Sequence, residues 1–115
     1  MHKTGHAKFS GFLGQIGVAP GDVVMVHSFL PSLGQLEDGL PGICRALRDR
    51  LGTKGTLVVP TFTYSFCKGE EFDNRHTPSV AGTFTEFVRC QDGVVRSADP
   101  IFSIAAIGDL AYEVT

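Results

Sequence analysis

Apolar residues along this chain change their period several times, and each change marks an element. From Ala7 to Val18, Phe9, Phe12, Leu13 and Ile16 recur at helical spacing, which predicts an amphipathic helix. Pro20-Gly21-Asp22 closes it as a turn. Val23-Val24-Met25-Val26-His27 is then apolar at nearly every position, the pattern of a strand covered on both faces. Leu40, Ile43, Cys44, Leu47 and Leu51 return to one helical face, with Arg45, Arg48, Asp49 and Arg50 mostly off it. Pro41 suits the first turn of that helix and Gly52 its C-terminal cap. Thr56 to Pro60 reads as a second short buried strand. Strand, helix, strand with short turns is a βαβ unit, so these two strands are expected to run parallel.

Thr61 to Pro78 is a long polar and aromatic loop, of a length that usually means function or disorder. Val80, Phe84, Phe87 and Val88 form another helical stripe, with Thr77 or Ser79 as its cap beside Pro78. Gln91-Asp92-Gly93 turns the chain into a strand at Val94–Arg96, and Phe102 to Ile107 reads as a further strand. Alternation puts Phe102, Ile104 and Ala106 on one face and Ile101, Ser103, Ala105 and Ile107 on the other. Both faces are largely apolar, so this strand expects cover on both sides. Asp109 suits the cap of a last helix starting at Leu110. That helix has fewer than two turns and needs packing partners. The expected fold is an α/β domain with a mainly parallel sheet flanked by helices. Residues 1–115 are expected to be the N-terminal part of a single, incomplete domain, which would leave apolar surface open to self-association.

Composition narrows the class. At 115 residues the chain makes one domain at most, and 43% apolar residues with nine Phe support a modest core. A net charge of −2 argues against a nucleic-acid partner, because no basic patch is present to neutralise phosphates. No apolar run approaches the roughly 18 residues that span a bilayer, and the polar start lacks a signal-peptide core. A cytoplasmic protein with no membrane partner is expected. Cys44, Cys67 and Cys90 show no CxxC spacing, which fits reduced thiols and no metal site.

Three polar groupings carry candidate chemistry. The Ser28–Gly34 segment leaves a buried strand, and a strand-to-helix crossing there would free backbone N–H groups to hold an anion, aided by the Ser28 and Ser32 hydroxyls. An ordinary turn is the alternative. His27, beside it, suits a general base or a structural histidine. In the long loop, Glu70, Glu71 and Asp73 would attract a cationic amine or simply face water, as would His76 beside Arg75. Tyr64 and Phe66 offer aromatic faces to a sugar or cation. Between the last two strands, Arg96 and Ser97 suit a phosphate clamp, with Asp99 orienting Arg96 or an amine. A structural Arg96–Asp99 ion pair is equally open.

Taken in order, these segments resemble one family. They are Gly-Asp-Val-Val-Met-Val-His-Ser from Gly21, Ser32-Leu33-Gly34, and Gly52-Thr53-Lys54-Gly55-Thr56-Leu57-Val58-Val59-Pro60-Thr61-Phe62-Thr63. Phe72-Asp73, Thr77-Pro78-Ser79, Gly82, and Arg96-Ser97 through Pro100 to Ser103-Ile104-Ala105-Ala106 follow. The resemblance is to the aminoglycoside 3-N-acetyltransferases, antibiotic N-acetyltransferases that do not share the GNAT fold. It implies acetyl-CoA as donor and an amine of an aminoglycoside or related amino sugar as acceptor, in antibiotic resistance or amino-sugar biosynthesis. It implies CoA contacts at Ser28, Leu30, Ser32 and Leu33, a pantetheine or acceptor wall at Thr61, Phe62 and Thr63, and a shared wall at Arg96 and Ser97. Tyr64, Asp73 and Asp99 become candidate acceptor contacts. Phe29 and Pro31 stand where the family commonly has Ser and Arg, and Asp99 where it often has His. The family's catalytic histidine lies in a C-terminal half with no counterpart in these residues, so no general base is assigned and the chain alone is expected to be inactive. A non-catalytic α/β binding or structural module that keeps the half-fold is the rival expectation.

Overall fold

A computed structural model describes residues 3–4, 6–27, 35–36, 39–64 and 66–115. Helix α1 spans His6–Gln15, α2 Gly39–Leu51, α3 Thr83–Arg89 and α4 Ala111–Val114. Strands β1 (Lys3–Thr4) and β3 (Gln35–Leu36) make a two-residue parallel pair. Strands β2 (Val23–Met25), β4 (Thr56–Pro60), β5 (Val95–Arg96) and β6 (Ile104–Gly108) form one sheet in the order β2-β4-β6-β5.

The α/β architecture is the expected one, and β2 and β4 run parallel across the α2 crossover. The sheet as a whole is mixed rather than mainly parallel. β6 is antiparallel to both β4 and β5. The reason lies in the connections. β5 and β6 are joined by a short turn, which forces an antiparallel pair.

Apolar periodicity explains the layers. Leu57, Val59, Ala105 and Ile107 point to one face of the sheet and join α2 residues Ile43, Leu47 and Leu51 and α3 residues Phe84 and Val88 in the main core. Phe9 and Leu13 of α1 pack into the same core, whereas Phe12 of that helix and Ile16, just past its end, are exposed. The opposite face is thinner. Val58 and Ala106 are covered by Ala111 of α4, with Val95, Ile104 and Val114 partly buried around them. β2 is an edge strand, so Val23 and Met25 stand open at 46% and 44% exposure instead of being covered on both faces.

Helix ends also depart from expectation. Gly52 caps α2 as predicted, with a φ of 71° and its N–H on the Arg48 carbonyl. α3 begins at Thr83 after Gly82, and neither Thr77 nor Ser79 caps it. Val80 lies outside the helix and is exposed. α4 is preceded by Leu110 and takes no cap from Asp109. The Leu110 N–H reaches across to the Thr56 hydroxyl at 2.8 Å instead.

Candidate functional site

Polar residues of the C-terminal half converge where β4 ends and β6 begins. The strand pairing continues past the formal ends through Thr61 N–H to Ser103 carbonyl (2.9 Å) and Thr63 N–H to Ile101 carbonyl (3.1 Å). Extended backbone alternates its side chains, so Thr61 and Thr63 turn inward and are buried, while Phe62 is half-buried and Tyr64 exposed.

Arg96 fills the space below. It pairs in register with Ala105, which directs its side chain to the core face. Its Nε donates to the Ser103 and Thr61 hydroxyls at 3.0 and 3.2 Å. One terminal nitrogen donates to the Thr61 carbonyl at 2.8 Å and the other to the Thr77 carbonyl. The guanidinium also lies 4.9 Å from the centroid of the Phe72 ring. At 7% exposure, Arg96 is a buried cation whose contacts are all to neutral groups. Burial, reinforced by Arg89 nearby, pulls its pKa down, yet an arginine stays charged.

The long loop folds onto this centre. The Val80 N–H donates to the Phe62 carbonyl at 2.8 Å, and Asn74 Nδ2 to the Arg96 carbonyl at 3.3 Å. Asp73 and Thr77 close a small turn, through the Asp73 N–H on the Thr77 hydroxyl and the Thr77 N–H on the Asp73 carbonyl. His76 Nδ1 lies 2.7 Å from Asp73 Oδ2, and the Arg75 N–H donates to Oδ1. These contacts, His76 first, hold the exposed Asp73 carboxyl below its usual range. A three-residue 3-10 turn, Phe66–Lys68, interrupts the same loop.

Above this floor is an aromatic and polar surface. Phe62 and Phe102 meet edge to face, centroids 5.4 Å apart at 87°. Ser97, half-buried, accepts the Ile104 N–H at 2.9 Å. Asp99 does not pair with Arg96. Its Oδ1 accepts the N–H groups of Ile101 and Phe102, which lowers its pKa and fixes the β5–β6 turn.

The structure therefore brings Thr61, Phe62, Thr63, Tyr64, Asp73, Arg96, Ser97 and Asp99 to one end of the sheet. It gives them unequal standing. Phe62, Tyr64, Ser97, Asp73 and Asp99 reach the surface, while Thr61, Thr63 and Arg96 lie beneath it. Arg96 is thus not presented as an open phosphate clamp. Ser28, Leu30, Ser32 and Leu33 lie outside the described residues. His27, after β2, is exposed. Phe72 appears in the sequence only as part of a longer motif, Thr77 also as a helix-cap candidate and Ser103 also on an alternating strand face, none of them as a site residue. A hydroxyl at Ser103, on the apolar face it shares with Ala105 and Ile107, was the available signal, because a buried hydroxyl implies a partner.

Among the described residues, a groove of about 540 Å³ sits at the opposite end of the sheet, among Cys44, Arg45, Arg48, Gly52, Phe87 and Gly108. A smaller one of about 300 Å³ borders the site, among Asn74, Arg75, Arg89, Arg96 and Tyr112. Cys44 is buried, which pushes its thiol pKa up, whereas Cys67 and Cys90 are free and exposed. No described helix is long and apolar enough to cross a membrane.

The family model for aminoglycoside 3-N-acetyltransferase matches residues 25–115. Aminoglycoside N(3)-acetyltransferase IV from a Salmonella species is 40% identical over 111 residues, covering 94% of this chain and 41% of that protein. Among solved structures, a mutant of the aminoglycoside acetyltransferase AAC(3)-IVa in complex with apramycin is similar with a TM-score of 0.88 at 36% identity. That match covers 99% of this chain and 47% of the other. AAC-IIIb in a binary complex with CoASH is similar with a TM-score of 0.84 at 27% identity, covering 96% of this chain and 48% of the other. The chain spans less than half the length of these relatives, matching an N-terminal half. With four-fifths of its residues inside the family model, the chain belongs to the aminoglycoside 3-N-acetyltransferase family.

Proposed function

We propose that residues 1–115 are the N-terminal part of a single catalytic domain that transfers acetyl from acetyl-CoA to an amine of an aminoglycoside or related amino sugar. The observation that carries this reading is the edge-to-face contact of Phe62, from the segment after β4, with Phe102, from the β5–β6 turn. An aromatic surface with carboxylates on the same wall suits a thioester donor with a long amide-bearing arm and a polyamine acceptor. The related AAC-IIIb structure contains CoASH, and that of AAC(3)-IVa contains apramycin.

The residues present fit a CoA arm. Phe62 and Phe102 offer an apolar platform and Ser97 a hydroxyl beside it, with Thr61 and Thr63 holding that platform from beneath. Ser28, Leu30, Ser32 and Leu33 complete the donor contacts in this proposal. Bound acetyl-CoA supplies an electrophilic acyl carbon with a thiolate leaving group. Tyr64, Asp73 and Asp99 bind the acceptor, its protonated amines being drawn to the carboxylates by long-range attraction. These residues position the acceptor amine; the group that removes its proton is not assigned to this chain. We place the protein in the cytoplasm, where three free cysteines remain reduced.

A thiol-release assay tests the reading. A protein extended to the family's length and carrying this chain is expected to release CoA from acetyl-CoA with aminoglycoside acceptors such as apramycin. The 115-residue chain alone is expected to release none above background. Acceptor binding by the extended protein without any turnover would favour the non-catalytic module.

A further inference from the structure

We infer that Arg96 is the positioning residue of the long loop, clamping residues 61 and 77 together so that the acceptor wall holds one shape. The consequence for substrate rests on the function proposed above. The clamp itself rests on geometry alone.

Arg96 touches both ends of the loop at once, through the Thr61 carbonyl and hydroxyl at its start and the Thr77 carbonyl at its end. Phe72, from the middle of the loop, stacks on the same guanidinium. Ser103 anchors the cation from β6. A planar group with five donors can serve several carbonyl directions at once, which a lysine ammonium cannot reproduce. A buried cation is costly to place, and a carboxylate partner would lower that cost. Arg96 instead meets neutral loop oxygens and a ring. The carboxylates that favour its charge, Glu86 and Asp73, do not hydrogen-bond to it. The loop oxygens therefore replace its water, and the loop's closed form is coupled to the presence of the guanidinium. Tyr64 and Asp73 lie inside the segment so closed, which makes their spacing a property of the clamp.

Amide hydrogen exchange on the full chain tests this. In Arg96→Ala, the amides of Thr63 and Val80, which tie down the loop's ends, and of Thr77, in the turn whose carbonyl Arg96 holds, should exchange roughly tenfold to a hundredfold faster, as expected for losing charged hydrogen bonds. The Gly21 and Val26 amides, bonded to Leu51 and Val58, should keep their protection. Ethylguanidinium, which replaces the deleted atoms, should restore the loop amides. Arg96→Lys should give an intermediate increase and stands in if the alanine variant does not fold. A uniform rise at all five amides, or loop exchange unchanged in Arg96→Lys and unrescued in Arg96→Ala, would overturn the clamp. Apramycin and CoASH titrations of the unmodified protein report separately on the proposed function.

Discussion

Thr61 and Ser103, 42 positions apart, are joined twice through their side chains, beyond the backbone bond between them: their hydroxyls lie 3.0 Å apart, and the Ser103 hydroxyl donates to the Thr61 carbonyl at 2.8 Å. Since a serine hydroxyl has one proton, Thr61 must be the donor between the two hydroxyls. Ser103 then accepts from Thr61 and from Arg96 Nε. Both residues are fully buried, and no buried side-chain polar atom among the described residues lacks a partner. The end of β4 is locked to the start of β6 by this exchange.

Removing either hydroxyl leaves buried polar groups unmatched. Ser103→Ala and Thr61→Val are each expected to cost about 1–3 kcal/mol. The double variant should cost less than the sum, with a coupling of about 0.5–3 kcal/mol. Urea denaturation of the four proteins measures the cycle, and simple additivity would mean that the two hydroxyls do not act as a pair.

A second close approach fixes the other end of the same strands. Gly108 has a φ of 135°, and a Cβ there would overlap the Gly55 carbonyl and the backbone of Thr56. Gly108→Ala combines left-handed strain with a backbone collision, and about 2–4 kcal/mol of destabilisation is expected. Gly11→Ala, in helix α1 with open space around it, should instead stabilise by about 0.5–1 kcal/mol. The two melting temperatures should move in opposite directions.

Much of this architecture is legible in sequence. The alternation from Phe102 to Ile107 assigns Ala105 and Ile107 to one face and Ile104 and Ala106 to the other, and the two clusters divide that way. The α2 stripe and the β2–β4 parallel pair follow from periodicity and the crossover rule. Two features were not legible. An edge strand and a central strand read alike when both are apolar, so the exposure of Val23 and Met25 depended on sheet order. Arg96 looked like a ligand-facing cation because charge suggests solvent. Its burial is set by pairing register and by oxygens drawn from three separate segments, a long-range fact that local pattern does not contain.

Acid sensitivity should centre on Glu86. Arg89 grips both its oxygens and the Ser79 N–H donates to it, which holds its carboxyl below the usual range, the Arg89 bonds first. A lowered folded pKa gives stability that is present above the unfolded value and lost as pH falls through the folded one. Stability should therefore decline as the pH drops below about 4. Glu86→Gln should cost about 1 kcal/mol at pH 7, allowing for its partial exposure, and flatten that acid decline. An acid limb unchanged in the variant would assign the effect to other groups.

The thinly covered sheet face predicts association. Val23 and Met25 are exposed beside the cluster of Val58, Ala106 and Ala111. Burying a large apolar side chain is worth roughly 1.5–3 kcal/mol, against a typical stability of roughly 5–15 kcal/mol. The isolated chain is expected to self-associate at micromolar concentration, and Val23→Thr with Met25→Thr to reduce that association without unfolding it. Light scattering on both proteins decides, and a cooperative wild-type monomer would show that the open face needs no cover.

Coenzyme A titration followed by amide chemical shifts tests the proposed donor wall most directly. The account predicts that the largest shifts fall on Phe62, Ser97 and Phe102, at the end of the sheet where β4 and β6 are locked together. Shifts centred on Arg45, Gly52 and Gly108, in the larger groove at the far end, or no shifts at millimolar CoA, would contradict it.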